Sequence, residues 1–196
     1  MAHEFGEIGY SLSEVLVSAY NITADTYADA IGNLDSDQMV EIDPQADTDE
    51  LRDSGKVTRL LAVTIKLAGK ISHGGYDWDV LAAICGVSNA TSGTTPNRVR
   101  TTTIPTKKLG YFGLIGVMDT DDDGVIVVGV RSAKLLKRPK YTFDGTANKF
   151  VVNDDVGFTG IYVGNVLEEV KTYETASDWT AAKPTDGATF KAFFSA

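Results

Sequence analysis

Asp119 to Val130 reads DTDDDGVIVVGV, and the fold turns on which of two readings of this stretch holds. Aspartates at the first, third and fifth places, glycine at the sixth and an aliphatic at the eighth match the opening of a helix-loop-helix calcium loop. The match fails at the twelfth place, where a bidentate glutamate belongs and Val130 stands. The flanks fail too. LGYFGLIGVM upstream and VIVVGVRSA downstream are rich in β-branched, aromatic and glycine residues, which suit strands and not amphipathic helices. Two such runs joined by Asp and Gly predict a β-hairpin, because Asp tolerates the left-handed region and Gly enters it freely. Its tip crowds Asp119, Asp121, Asp122 and Asp123, and no metal is assigned to it.

Working outward, VTRLLAVTIKLAGKI has Val57, Leu61, Val63, Ile65, Leu67 and Ile71 on odd positions, with Thr58, Thr64, Lys66 and Lys70 on even ones. That is a period of two with one buried face. At 3.3 Å per residue the stretch is roughly 50 Å long, which predicts a bend or bulge, placed here at Gly69. EVLVSAYNI, DQMVEID, KYTFDG, KFVVND, FTGIYVG and VLEEVKTYE continue the strand pattern. One helix is expected in GGYDWDVLAAICGVS, with acids in its first turn, Trp78, Leu81 and Cys85 on one side, and a stop at Gly86. Three segments read as non-strand: the acidic loop Asp43 to Lys56, the Ser/Thr/Pro-rich stretch Ser88 to Thr106, and a small-residue tail from Ala176 to Ala196. The expected fold is a single all-β domain over residues 1–196, a sandwich or barrel of two sheets with one packed helix.

With 43% hydrophobic and 23% charged residues, the 196-residue chain has the composition of a folded globular protein. Its single cysteine, Cys85, lies in an apolar run and excludes an intramolecular disulfide. No secretory signal or membrane-spanning run is read, so folding in a cytosol is expected. Charge is unevenly placed. Residues 1–56 hold 13 of the 27 acids but only Arg52 and Lys56 of the 18 bases, a balance of −11 against +2 for the remainder. Such a front end repels phosphates. The one compact basic run, AKLLKRPKY, carries Lys134, Lys137, Arg138 and Lys140 and reads either as a solvated edge strand or as a docking face for an acidic partner.

No catalytic constellation emerges. His3 and His73 are the only histidines, and one cysteine does not complete a zinc site. The glycines of GYFGLIG are spaced for neither a dinucleotide fingerprint nor a phosphate loop, and no nucleophile elbow occurs. Asp77 and Asp79 suit a helix start. No enzyme activity, cofactor or metal is expected.

The succession of an acidic β region, DELRDSGKV, LLAVTIKLAGKI, GGYDWDVLAAICG, SGTTPN and GYFGLIG, over residues 10–175, resembles the major tail tube proteins of long-tailed bacteriophages. The resemblance implies two β-sheets flanked by a helix. It also implies subunits that form rings, commonly of six, stacked into a virion tail tube that conducts DNA from capsid to host. The chain's partners would be its own copies, a tape measure protein and tail terminator or tip proteins. DNA would pass without specific binding, no membrane would be involved, and assembly would occur in the bacterial cytoplasm. The family's inter-ring loop falls on Asp43 to Lys56, with Asp47, Asp49, Glu50, Arg52 and Lys56 as polar contacts, and the stacking counterpart would be Lys134 to Lys140. A rival expectation is a β-sandwich binding module for a carbohydrate or receptor, using the aspartate hairpin and the aromatics Tyr76, Trp78, Tyr111 and Trp179.

Overall fold

The computed structural model describes residues 9–35, 39–53, 56–72, 78–85, 87, 89–103, 108–138, 141–144, 149–152, 155–164 and 166–195, with the backbone alone over 9–11, 35, 46–53, 56–65, 78, 89, 100, 102, 141–144, 149–152 and 155. The chain is mostly β, with one large antiparallel sheet that does not close. Its strands are β1 (Gly9–Asn21), β2 (Thr26–Asp35), β3 (Met39–Asp53), β4 (Lys56–Ser72), β7 (Tyr111–Thr120), β8 (Val125–Leu135), β11 (Asp155–Gly160) and β12 (Glu168–Tyr173). The order is β2-β1-β7-β8-β11-β4-β3, and β12 also pairs β8. β8 is therefore the branch point. Its first half pairs β12, from Tyr173 opposite Val125 to Glu168 opposite Val130, and its last residues pair β11, with Phe158 opposite Leu135. Two small hairpins, β5 (Asn89–Ser92) with β6 (Val99–Thr102) and β9 (Tyr141–Asp144) with β10 (Lys149–Val152), complete the strands.

The aspartate stretch forms the expected hairpin, with Asp119 opposite Val125. Thr120 N donates to Gly124 O at 3.0 Å. Asp123, at φ +63°, supplies the left-handed residue that the turn requires.

Strand alternation gives the sheet two apolar faces. On the first, Val15, Val17, Phe112, Leu114 and Val130 share a core with Leu67 and Ile71 of β4 and Val156 and Phe158 of β11. α1 (Trp78–Cys85) packs into this core, and Val80 through Cys85 are all buried. The helix is thus enclosed beyond the single side read from its sequence. It seats closely because Gly32 lacks a side chain; a Cβ there would stand 2.8 Å from Val80 Cα. On the second face Leu16, Tyr20, Ile115, Val117, Val125 and Val127 meet Trp179, Phe190, Phe193 and Phe194.

Those four aromatics correct the reading of residues 176–196 as a tail. α2 (Ala176–Ala182) and α3 (Gly187–Phe193) are helices packed on the sheet, so the described chain has three helices where one is expected. Thr175 caps α2 by accepting from Asp178 N, and Asp186 with Thr189 forms a reciprocal capping box on α3. Phe190 and Phe194, four apart, and Phe193 between them face the sheet. Full burial of a phenylalanine such as Phe190 contributes about 2–3 kcal/mol. The seat is cut by glycines. A Cβ at Gly129 would stand 2.4 Å from the Phe193 ring, and one at Gly113 would stand 2.5 Å from Tyr27 and 2.7 Å from Phe190.

β4 also departs from expectation in one detail. Its irregularities are not at Gly69, which pairs regularly with Ile42, but near Ile65, where Lys66 faces Gln45 and Thr64 faces Ala46, and near Thr58, where Arg59 faces Leu51 and Val57 faces Arg52. Gly69 serves packing instead, since a Cβ there would stand 2.2 Å from the Phe158 ring. The Ser88 to Thr106 stretch is likewise not strand-free, because β5 and β6 pair within it from Ser92–Val99 to Asn89–Thr102.

Candidate functional site

The segment expected as a long loop is a strand. Met39 to Asp53 runs antiparallel to β4, with register shifts after Gln45 and after Leu51, down to Asp53 opposite Lys56, so the chain turns only between those two residues. Asp47 stands opposite Val63, Asp49 opposite Leu61, Glu50 opposite Leu60 and Arg52 opposite Val57. Acidic residues have low strand propensity, but the main-chain groups on the inner side of β3 gain partners on the β-branched and leucine-rich β4, and that pairing wins. Pro44, opposite Leu67, is tolerated because β3 is an edge strand.

β11 pairs β4 only from Leu67 to Ser72. Before Leu67, the only described partner of β4 is β3. Residues 46–53 and 56–66 therefore form a two-stranded ribbon continuing past the sheet, about 30 Å long at 3.3 Å per residue. Along β3 and this part of β4, backbone donors and acceptors face outward unpaired among the described strands. Such edges template pairing with another chain. The ribbon is the molecule's most extended candidate contact, and the five named residues Asp47, Asp49, Glu50, Arg52 and Lys56 all lie on it.

The basic run is divided by the structure. Lys134 is not on an edge: it stands opposite Thr159 in the interior of the sheet, with Nζ 4.9 Å from the centre of the Tyr111 ring. Leu136, Lys137 and Arg138 follow the end of β8 and are exposed, Leu136 at 70%. Lys140 lies outside the described residues. Only Lys137 and Arg138 are brought together as a surface pair.

A cavity of about 300 Å³ opens at the root of the ribbon, between Val40, Ile42 and Pro44 of β3 and Met118, Ile126 and Val128 of β7 and β8, with Glu168 of β12 in its wall. Glu41 and Asp43 alternate with the lining residues along β3 and are exposed. Sequence reading missed this site because its walls come from strands far apart in the chain.

Two charged clusters fasten the C-terminal helices. Glu14 accepts from Trp179 Nε1 at 2.9 Å and from Lys183 Nζ at 2.5 Å. Asp25, at φ +51° in the β1–β2 turn, accepts from Tyr20 Oη at 2.7 Å, from Arg131 Nη2 at 3.2 Å and from Lys191 Nζ at 2.7 Å. These donors hold the Asp25 carboxyl down at about 2, the hydrogen bond from Lys191 first. Burial and the nearby carboxylate push the Tyr20 phenol up to about 12. Lys171 Nζ donates to Phe193 O and stands 4.4 Å from the centre of the Phe193 ring. Local sequence gives no signal for these partners, which are brought together by the fold.

At the hairpin tip Thr120 Oγ1 donates to Asp122 Oδ1 at 2.6 Å and Asp123 O accepts from Ala176 N at 3.0 Å, so the turn supports the start of α2. Among the described residues no three His, Cys, Asp or Glu side chains are placed to hold a metal ion. His3, His73, Tyr76 and Asp77 lie outside the described residues. Trp179, one of the aromatics of the rival binding reading, is 5% exposed and packs on Tyr173 at 5.5 Å, a core role and not a ligand platform. Burial pushes the Cys85 thiol up to about 11, which leaves it unreactive at neutral pH. No helix among the described residues is long and apolar enough to cross a membrane. No protein-family model and no curated protein matches the chain.

Proposed function

We propose that this chain is a structural, self-assembling subunit, a tail tube protein whose copies form rings stacked into a hollow conduit for DNA. The observation that carries the reading is the ribbon: about 30 Å of acidic, open-edged paired backbone leaving a body that already holds two buried cores of its own. A monomer gains little from such an arm, whereas a neighbouring copy gains a strand edge and a charged surface. The shared core of β4, β11, β1 and β7 supports the finer expectation of two packed layers. The ribbon takes over the inter-ring role first read for a loop, with Asp43 to Asp53 meeting the basic residues after β8 on the next copy.

The acidic front end fits a channel that must not hold its cargo. Carboxylates lining a lumen repel phosphates, so DNA slides with little adhesion. The expected partners are further copies of the chain, a tape measure protein inside the tube and terminator or tip proteins at its ends, with the virion tail as the place of action.

The test is negative-stain microscopy of the concentrated protein beside a shortened variant in which Asn-Gly links Ala46 to Thr64. Rings or hollow filaments are expected from the native chain and dispersed particles from the variant. Monomers of the native chain at every concentration would overturn the reading and favour a binding module.

A further inference from the structure

Leu136 is the most exposed large hydrophobic of the described chain, at 70%, and it is held firmly, because its backbone N donates to Gly157 O at 3.0 Å. Lys137 and Arg138 follow it directly and are exposed. An exposed apolar side chain on an anchored backbone, beside two cations, is an apolar knob with a basic collar. The cavity at the ribbon root has the complementary chemistry: an aliphatic lining from Val40, Ile42, Met118, Ile126 and Val128, the carboxylate of Glu168 in the wall, and Glu41 and Asp43 exposed along the adjoining edge strand. Its volume of about 300 Å³ takes a leucine and the aliphatic stem of a neighbouring lysine, whose ammonium then reaches the rim.

Knob and cavity belong to the same strand. Ile126 and Val128 sit near the start of β8, and Leu136 follows its last residue, roughly 30 Å further along at 3.3 Å per residue. The knob therefore does not fill the cavity of its own chain, and a copy displaced along β8 brings one to the other. We infer that Leu136 to Arg138 of one copy docks into the Val40–Val128–Glu168 cavity of the next, as a head-to-tail contact. Contacts of this heterologous kind propagate into rings or stacks. The inference rests on the self-assembly reading and deepens it, assigning the basic residues a seat at the root of the ribbon in place of its tip. Apolar insertion supplies the holding energy, and charge complementarity sets register and encounter rate.

The experiment mixes two separately purified variants, Leu136→Cys and Glu168→Cys, both at exposed positions, under mild oxidation. Cys85, buried, does not compete. A reducible heterodimer is expected from the mixture and from neither variant alone. Leu136→Asp is expected to lower the self-association constant roughly tenfold or more in sedimentation. Lys137→Glu and Glu168→Lys should each weaken association and, when mixed, restore it. Rings or filaments without the heterodimer overturn this contact and leave the tube reading standing, as does a homodimer of Leu136→Cys alone. A chain that stays monomeric at every concentration overturns both.

Discussion

The C-terminal helices pack on the face of the central strands and the β3–β4 ribbon continues from the sheet's edge, and they are held by opposite means. α2 and α3 are fixed by side chains: three phenylalanine rings and Trp179 in an apolar face, glycine seats beneath them, and carboxylates from β1 and its turn gripping Trp179, Lys183 and Lys191. The ribbon is fixed by backbone pairing, with β11 supporting only its root. The difference separates a segment committed to its own chain from one that, on the proposed reading, serves a neighbouring copy. Packing that excludes water commits a segment to its own chain, whereas a paired ribbon with open edges keeps hydrogen-bonding capacity for another.

The largest test of that contrast is deletion. Removing residues 184–196 strips Phe190, Phe193 and Phe194 from the second face, and the expected product binds hydrophobic dye and lacks a cooperative melt. The Ala46–Asn-Gly–Thr64 variant should instead melt within a few degrees of the native chain while failing to assemble. If the shortened ribbon unfolds the body, the two regions do not differ as argued. On a finer scale Phe190→Ala should cost roughly 4 kcal/mol in urea unfolding. Gly129→Ala should cost about 2 kcal/mol, because its new methyl meets the Phe193 and Phe194 rings. Gly116→Ala, whose Cβ finds nothing nearer than 3.9 Å, is the control and should be neutral within about 0.5 kcal/mol. Glu14→Ala should cost about 1–2 kcal/mol by leaving Trp179 Nε1 without an acceptor, seen as a lower urea midpoint with an unchanged slope.

The same contrast explains what was legible. The β7–β8 hairpin could be read because its signal is local: β-branched runs on both sides and a turn whose Asp123 accepts φ +63°. β4 could be read from its period of two, but not its irregularity, since Gly69 is explained by the ring of Phe158, distant in sequence. The stretch from Asp43 hid its strand because Asp, Pro and Gln carry weak strand propensity and the pairing partner, not the segment, imposes the extended form. α3 was legible in principle: Asp186 with Thr189 is a cap, and Phe190, Phe193 and Phe194 have helical spacing. Small residues around them gave the appearance of a tail. Of the candidate site, Asp47, Asp49, Glu50, Arg52 and Lys56 lie on paired strands where the sequence suggests a loop, and the basic run divides because Lys134 is drawn into the sheet over Tyr111. The cavity at the ribbon root is built from five strands, β1, β3, β7, β8 and β12, and leaves no local trace.

The smallest effect concerns the charged fastening of α3, and its sign can be worked out. Asp25 has its carboxyl lowered from 3.8 to about 2, chiefly by the hydrogen bond from Lys191 and then by that from Tyr20. A group lowered in the folded state stabilises that state above its unfolded value and loses the contribution as pH falls through the folded value. Asp25 and Lys191 are each 38% exposed, so solvent screening reduces the contribution to the order of 1 kcal/mol. Asp25→Asn keeps a residue that tolerates the φ of +51° and removes the charge. The stability difference between native and variant should be full at neutral pH, begin to shrink below about pH 4 and vanish near pH 2. A difference constant across that range would mean that Asp25 acts through turn geometry and the hydrogen bond of Tyr20, leaving apolar packing and the contacts of Glu14 and Lys171 to commit the C-terminal helices to their own chain.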